Sequence, residues 1–292
     1  MKRKWEQDRG LQARMLLTMV LLAVVYLFFL AFLSYSGTQP LIMLLFVGFF
    51  LAVQYFYSDK MVLWTTGARL VSERDEPKLH ELVTRLCALA ALPKPNVAVL
   101  YSPIPNAFAT GRSPKKAVVA VTSGLMQKLS GPELEAVLAH ELSHIKNRDM
   151  MVLTLASFLS TVAFYIMRYS LFFGYGSRRR DSRGLVLIWL ISALVWFLSF
   201  FLLRALSRYR EFSADRGSAA ITGQPSNLAS ALMKISGIIE KMPSEDLRKV
   251  EGMSAFFIIP ALSSSSLMQL ISTHPPVEKR LKALRKIQTE MG

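Results

Sequence analysis

AVLAHELSHIKNRDMMVLTLASFL, residues 136–159, opens as a helix dense with ionisable groups and closes as an almost wholly apolar run. His140 and His144 bracket Glu141 in its first half, and from Met150 onward it has the composition of a membrane span. A polar cluster running straight into a lipid-compatible segment predicts a membrane protein with a reaction centre close to the bilayer.

The rest of the chain supports the lipid half of that reading. Hydrophobic residues make up 52% of the 292 positions and the mean hydropathy is +0.34, high for a soluble protein. The excess lies in four runs, residues 15–33, 41–57, 150–167 and 185–203. Each can cross a hydrocarbon core of about 30 Å at about 1.5 Å per residue. The first run is longer than the apolar part of a signal peptide and no small-x-small cleavage site follows it, so it reads as a retained anchor.

A formal charge of +15 raises the question of nucleic acid. The excess is spread over every segment between the apolar runs, as suits a chain lying on anionic lipid, and no basic motif interleaved with aromatics occurs. Nucleic acid is therefore not expected as a partner; the lipid bilayer is. The single cysteine, Cys87, excludes a disulfide framework within the chain and sits where a helical pattern wants a small buried residue.

Charge asymmetry sets the expected topology. The basic start, Lys2, Arg3 and Lys4, stays in the cytoplasm, the uncharged loop SYSGTQP lies outside, and the chain returns at residue 58. Four sections follow: an N-terminal transmembrane hairpin over 1–57, a first catalytic part over 58–149, a second hydrophobic hairpin over 150–203, and a second catalytic part over 204–292. A crossing second hairpin puts Arg168, Arg178, Arg179, Arg180 and Arg183 on the outer face, against the positive-inside tendency. Two runs of this length still favour crossing, with a re-entrant or surface-packed pair as the alternative.

Within 58–149, DEPKLHELVTRLCALAAL predicts an amphipathic helix stopped by Pro93 and bearing a structural His80. NVAVLYS and KAVVAVTSGL predict two strands around a Pro-rich connection. Ser130, with Glu133 three residues later and Pro132 between them, is a capping-box signature that places HELSH on a helix. Beyond residue 204 the pattern is mostly helical, ending in HPPVEKRLKALRKIQ with Val277, Leu281, Leu284 and Ile287 on one face.

Histidines at i and i+4 share a helix face and can direct two imidazoles at one metal ion, with the intervening glutamate free to act as general base. Chance produces His-Glu-x-x-His on the order of once per hundred chains of this length. A catalytic zinc site needs a third protein ligand. SRYREFSADRGSA offers Glu211 and, one turn on, Asp215, which can fix the tautomer of a ligating imidazole. Taken alone, acids among Arg208, Arg210 and Arg216 also describe a solvated, salt-bridged face.

HELSH followed by IKNRD, then SRYREFSAD, then STHPP, together with NAFATG at 106–111 and the four apolar runs, resembles the HtpX family of membrane zinc metallopeptidases, relatives of the membrane CAAX prenyl endopeptidases. The resemblance covers most of the chain. It implies one zinc ion per chain held by His140, His144 and Glu211, Glu141 as catalytic base, and Asp215 and Arg208 supporting the ligands. Asp149 matches a family acid behind the metal and also reads as a structural carboxylate. His274 is either a helix-start residue or a donor to the transition-state oxyanion. Asn106, Ala107, Phe108 and Ala109 match a segment whose backbone lies near substrate, where a peptide can add as a strand.

The expected fold is therefore a mainly α-helical integral membrane protein, with about four transmembrane helices and a cytoplasmic zincin-like α+β catalytic domain carrying a small β-sheet. The expected function is a zinc endopeptidase of the cytoplasmic membrane, active site toward the cytoplasm, acting on misfolded or unassembled membrane proteins. A maturation protease of the CAAX type and a non-catalytic metal-binding scaffold are the alternatives.

Overall fold

The computed structural model describes residues 8–36, 40–174, 182–242 and 273–291. Lys2, Arg3 and Lys4, the arginines at 178–180 and part of the segment after 204 lie outside the described residues. Two compact units divide the chain: Arg9–Phe56 with Val152–Leu206, and Tyr57–Met151 with Ser207–Gly292 and the N-terminal residues.

The first unit is a helix bundle built from α1 (Arg9–Tyr35), most of α2 (Pro40–Thr66), α6 (Asp149–Gly174) and the N-terminal part of α7 (Ser182–Thr222). On α1, Thr18, Leu22, Tyr26, Phe29 and Leu33 recur every three or four residues and are buried. They meet Val162, Ala163 and Ile166 of α6 and Val195 and Leu206 of α7. Tyr26 donates to the carbonyl of Ala156 at 2.7 Å. The other flanks of α1, among them Leu16, Leu17, Val24, Leu27 and Phe28, are exposed. An apolar exterior on an apolar core is what a span in lipid requires. Among the described residues three helices are long and apolar enough to cross a membrane: Arg9–Tyr35, Asp149–Tyr169 and Gly184–Thr222. The remaining apolar run, 41–57, is also helical, within α2.

The second unit is an α+β layer around a four-stranded sheet of order β1-β2-β4-β3. Strands β2 (Asn96–Leu100) and β4 (Val118–Thr122) run parallel; β1 (Arg69–Leu70) and β3 (Ala107–Thr110) are antiparallel to their neighbours. Side-chain alternation divides the core. Val97, Val99, Ala107, Val119 and Val121 face α3 (Pro77–Ala90), α5 (Gly131–Lys146), α8 (Pro225–Ile239) and α9 (Val277–Met291). Ala98, Phe108, Val118 and Ala120 face Val62 of α2 and Ala68, two residues beyond that helix. Cys87 is buried in the first of these layers, and burial pushes its thiol up to about 11, so it is no nucleophile.

Several sequence expectations shift. The strand read through TSGL ends at Thr122, whose hydroxyl accepts from the N–H of Leu125 at 3.1 Å and starts the short helix α4 (Ser123–Lys128). Helix α3 stops at Ala91, left-handed at φ 52, two residues before Pro93. A strand, β3, lies in what reads as connection. The apolar run 185–203 and the SRYREFSAD segment are one 41-residue helix, α7.

The capping box does more than start α5. The Glu133 carboxylate accepts from the N–H and hydroxyl of Ser130, each at 2.8 Å, and also from Ser230 at 2.6 Å and Lys234 at 2.7 Å on α8. Burial works to raise this carboxyl, but Lys234, Ser230 and Ser130 outweigh it and hold it at about 2, below the ordinary 4.5. A depressed acid stabilises the fold above its unfolded pKa and loses that contribution as pH falls toward its folded value. Glu133→Gln is therefore expected to cost about 1–3 kcal/mol near neutrality. The gap from wild type should close as pH drops from about 4.5 to about 2 in thermal unfolding of detergent-solubilised protein. A gap independent of pH would contradict this account.

Candidate metal centre

Helix α5 carries His140 and His144 one turn apart, with their rings edge to face and centroids 4.7 Å apart. Glu211 comes from α7. The Nε2 atoms of the two histidines are 3.1 Å apart, and those of His140 and His144 lie 3.6 and 3.4 Å from the Glu211 oxygens. Three donors held about 2.0–2.1 Å from one tetrahedral ion stand about 3.3 Å from each other. These side chains are thus spaced as the ligands of a single metal ion, and they form such a group among the described residues.

Each histidine has its other ring nitrogen on a carboxylate. His140 Nδ1 is 3.0 Å from Asp215, and Asp215 accepts from Arg280 of α9 at 2.9 and 2.5 Å. His144 Nδ1 is 2.6 Å from Asp149, the first residue of α6, and Asp149 is paired with Arg210, which also donates to the carbonyl of Asn147 at 2.8 Å. Nδ1–H donation to a carboxylate leaves the Nε2 lone pair for a metal.

Charge balance gives a second test of fit. Glu141, Asp149, Glu211 and Asp215 are all buried carboxylates here, against two buried guanidiniums, Arg210 and Arg280. With neutral imidazoles, this buried set is short of two positive charges, the charge of a divalent cation. Burial opposes a charged ring at His140, yet Asp215 and Glu211 push its pKa up; Glu211 and Glu141 do the same for His144. A field that favours a proton on these rings favours a cation between them. Burial pushes the Glu141 carboxyl up, against the pull of both histidines.

The other expected residues fall as follows. His274 Nδ1 is 3.1 Å from Glu211, so His274 reaches the donor cluster. Arg208 is half-buried on α7, while Arg210 pairs with Asp149 and Arg280 with Asp215. Asn106 is buried, with its N–H and C=O both engaged by Thr122 of β4. Parity then turns the N–H and C=O of Ala107 and Ala109 away from β4, toward the side on which β3 is the last strand among the described residues. Phe108 points its ring into the core on the far face. His80 bonds the carbonyl of Val71 at 3.0 Å.

The peptidase family M48 model matches residues 73–288, which includes every donor above. This chain belongs to peptidase family M48. Among its curated relatives, Protease HtpX homolog 2 of Methanosarcina acetivorans is 71% identical over all of both chains. Protease HtpX homolog of Moorella thermoacetica is 57% identical over all of this chain and 99% of its own. The HtpX resemblance read from the motifs is thereby borne out, and with it a membrane metalloprotease. The crystal structure of S. mikatae Ste24p shares the fold at TM-score 0.55 and 18% identity, covering 95% of this chain and 66% of that one.

For this M48 chain, the two arginines missed by sequence reading carry a specific expectation. Arg280→Ala or Arg210→Ala should weaken metal binding about 10- to 100-fold by releasing the carboxylate that orients a histidine. Competition with a chromophoric chelator measures this. Unchanged affinity in both variants would show that the relays do not position the ligands.

Proposed function

We propose that this chain is a zinc endopeptidase of the cytoplasmic membrane, spanning it four times with its catalytic unit on the cytoplasmic side, and that it cleaves exposed segments of misfolded or unassembled membrane proteins. The observation that carries the reading is the His140, His144 and Glu211 donor set, spaced for one ion, with Glu141 beside it. The four-span count is supported by the helical run 41–57 beside the three long apolar helices, and the orientation by the placement of charge between the runs.

Zinc held by these three side chains would supply a Lewis acid that polarises the scissile carbonyl and acidifies water at the site. Every other role falls to the chain. Ala107 and Ala109 at the edge of β3 offer backbone groups with which an extended substrate pairs, setting the scissile bond against α5. Glu141, buried and therefore more basic than an exposed carboxylate, accepts the proton of the attacking water and returns it to the leaving amine. Asp215 and Asp149 keep the two imidazoles in one tautomer and orientation. His274, beside Glu211, is the group we assign to donate to the developing oxyanion.

Substrate choice follows from an unfolded requirement. Strand addition to β3 needs an extended, unpaired backbone, which a misassembled membrane protein exposes in its loops and a folded one does not.

The test uses protein purified in detergent with its metal content measured. Glu141→Gln should keep zinc and lose at least about a hundredfold in casein cleavage. Glu211→Ala should lose both the zinc and the activity. Full turnover by Glu141→Gln sinks the base assignment, chelator-resistant cleavage sinks the metal, and zinc binding without any cleavage by wild type leaves a metal-binding scaffold.

A further inference from the structure

We propose that Thr122, with Ser123 beside it, is a positioning residue for peptide cleavage: its hydroxyl fixes where β3 begins, and so which bond of an extended substrate is presented to the metal centre. The proposal rests on the reading in which substrate pairs with the backbone of β3, and adds to it what holds that backbone in place. Thr122 is the last residue of β4 and is buried. Its hydroxyl accepts from the N–H of Asn106 at 2.9 Å and from the N–H of Leu125 at 3.1 Å, and donates to the carbonyl of Asn106 at 3.1 Å. A hydroxyl has one donor and two lone pairs, and here backbone groups take all three. The N–H of Thr122 donates to the same Asn106 carbonyl at 2.9 Å. One side chain therefore joins the end of β4, the start of α4 and the residue from which β3 departs.

The two residues that follow tighten the same junction. The Ser123 hydroxyl accepts from the N–H of Ser102 and donates to its carbonyl, each at 3.1 Å, and the N–H of Gly124 donates to that carbonyl at 2.9 Å. A Cβ on Gly124 would stand 2.2 Å from the carbonyl oxygen of Pro103, so the approach is as close as backbone allows. Residues 122–124 thus grip the connection 102–106 that feeds β3. At the other end of β3, Gly111 has φ +120, and a Cβ there would stand 2.4 Å from the carbonyl oxygen of Lys116. Four residues of strand lie between two ends held by close contacts, which leaves β3 little slack to slide along β4.

Register is what this arrangement sets. Ala107 and Ala109 turn their N–H and C=O away from β4, and both pack in the layer that contains α5. Strand pairing advances in whole residues, so a β3 whose start is loosened pairs substrate in a shifted register and brings a neighbouring bond to the helix that carries His140, Glu141 and His144. A displacement of about 1 Å at a reacting centre is enough to cost about a hundredfold in rate. Thr122 acts through β3 and not on the substrate itself.

The full-length, metal-loaded protein in detergent is given a peptide that wild type cuts at one principal bond, and the products are identified by mass spectrometry alongside kcat, KM and zinc affinity. Thr122→Val keeps the shape and removes the hydroxyl; Thr122→Ser keeps the hydroxyl. The valine variant should lose about ten- to hundredfold in kcat/KM and cut at neighbouring bonds as well, with zinc affinity within about twofold of wild type. Serine should restore the single cut. The distribution of cuts is read within one preparation, so loss of folded or metal-loaded enzyme does not move it, whereas a shift in register does. A wild-type distribution in Thr122→Val, whatever its rate, overturns the proposal, as does a broadened one in Thr122→Ser; both leave the peptidase reading intact. Where Thr122→Val yields no folded protein, Ser123→Ala decides: neighbouring cuts support the proposal and an unchanged distribution overturns it. Failure of metal-loaded wild type to cut any peptide overturns the peptidase reading, and the role of Thr122 falls with it.

Discussion

Four buried carboxylates and two buried guanidiniums converge on two imidazoles, and the rest of the catalytic unit is organised around keeping that excess of negative charge tolerable. An isolated carboxylate removed from water is costly, and removal of one partner from a buried pair typically costs about 3–5 kcal/mol. Three of these acids have a cation or an imidazole on them: Asp215 has Arg280 and His140, Asp149 has Arg210 and His144, Glu211 has both histidines and His274. The elements that supply these groups, α5, the α5–α6 turn, α7 and α9, are widely spaced in sequence. Satisfying the charges is therefore also what fixes how these elements meet.

The relation between lipid-compatible and polar sequence is covalent and helical. Asp149, whose carboxylate is 2.6 Å from His144 Nδ1, is the first residue of α6; Glu211 and Asp215 lie on the same unbroken helix as the apolar run 185–203. A 41-residue helix is about 60 Å long, roughly twice the hydrocarbon core, so α7 has length both to span lipid and to carry Glu211 and Asp215 beyond it. The apolar runs 150–167 and 185–203 lie in sequence between the histidines of HELSH and Glu211, and α6 and α7, which carry those runs, also carry Asp149, Glu211 and Asp215.

What could be read in the sequence was what periodicity and short motifs encode. HELSH, its capping box, the apolar runs and the amphipathic helices are all local patterns. Arg280 and Arg210 escaped because the sequence reading took charged residues on amphipathic helices as solvent-facing. A signal was present: Arg280 falls on the face of α9 that buries Leu284 and Ile287, and Arg210 on the face of α7 that buries Leu206 and Ala214. A cation on an apolar stripe implies a buried partner, and each of these has a carboxylate. β3 left no comparable trace, since four residues between a Pro-rich connection and a glycine are too few to show alternation; its strand character comes from pairing with β4. The helical continuity of α7 was obscured by the change from apolar to charged composition at residue 204, although neither Gly nor Pro interrupts the chain there.

The two histidines are not equivalent, and the difference bears on where chemistry can occur. The His140 side chain is 1% exposed and its carboxylate relay is fully enclosed, whereas His144 is 17% exposed and stands in the wall of the cavity next to β3. Among the described residues, the more accessible of the two rings is thus that of His144, on the side where the cavity meets β3. The His140, Asp215 and Arg280 group is enclosed away from solvent, where its hydrogen bonds are strongest. Its constituents come from α5, α7 and α9, so this enclosed group depends on contacts that only the completed fold provides. Cation binding at this donor set and stability of the unit are accordingly linked: an ion that binds the assembled donors and not the unfolded chain stabilises the packing of those three helices by the free energy of its own binding.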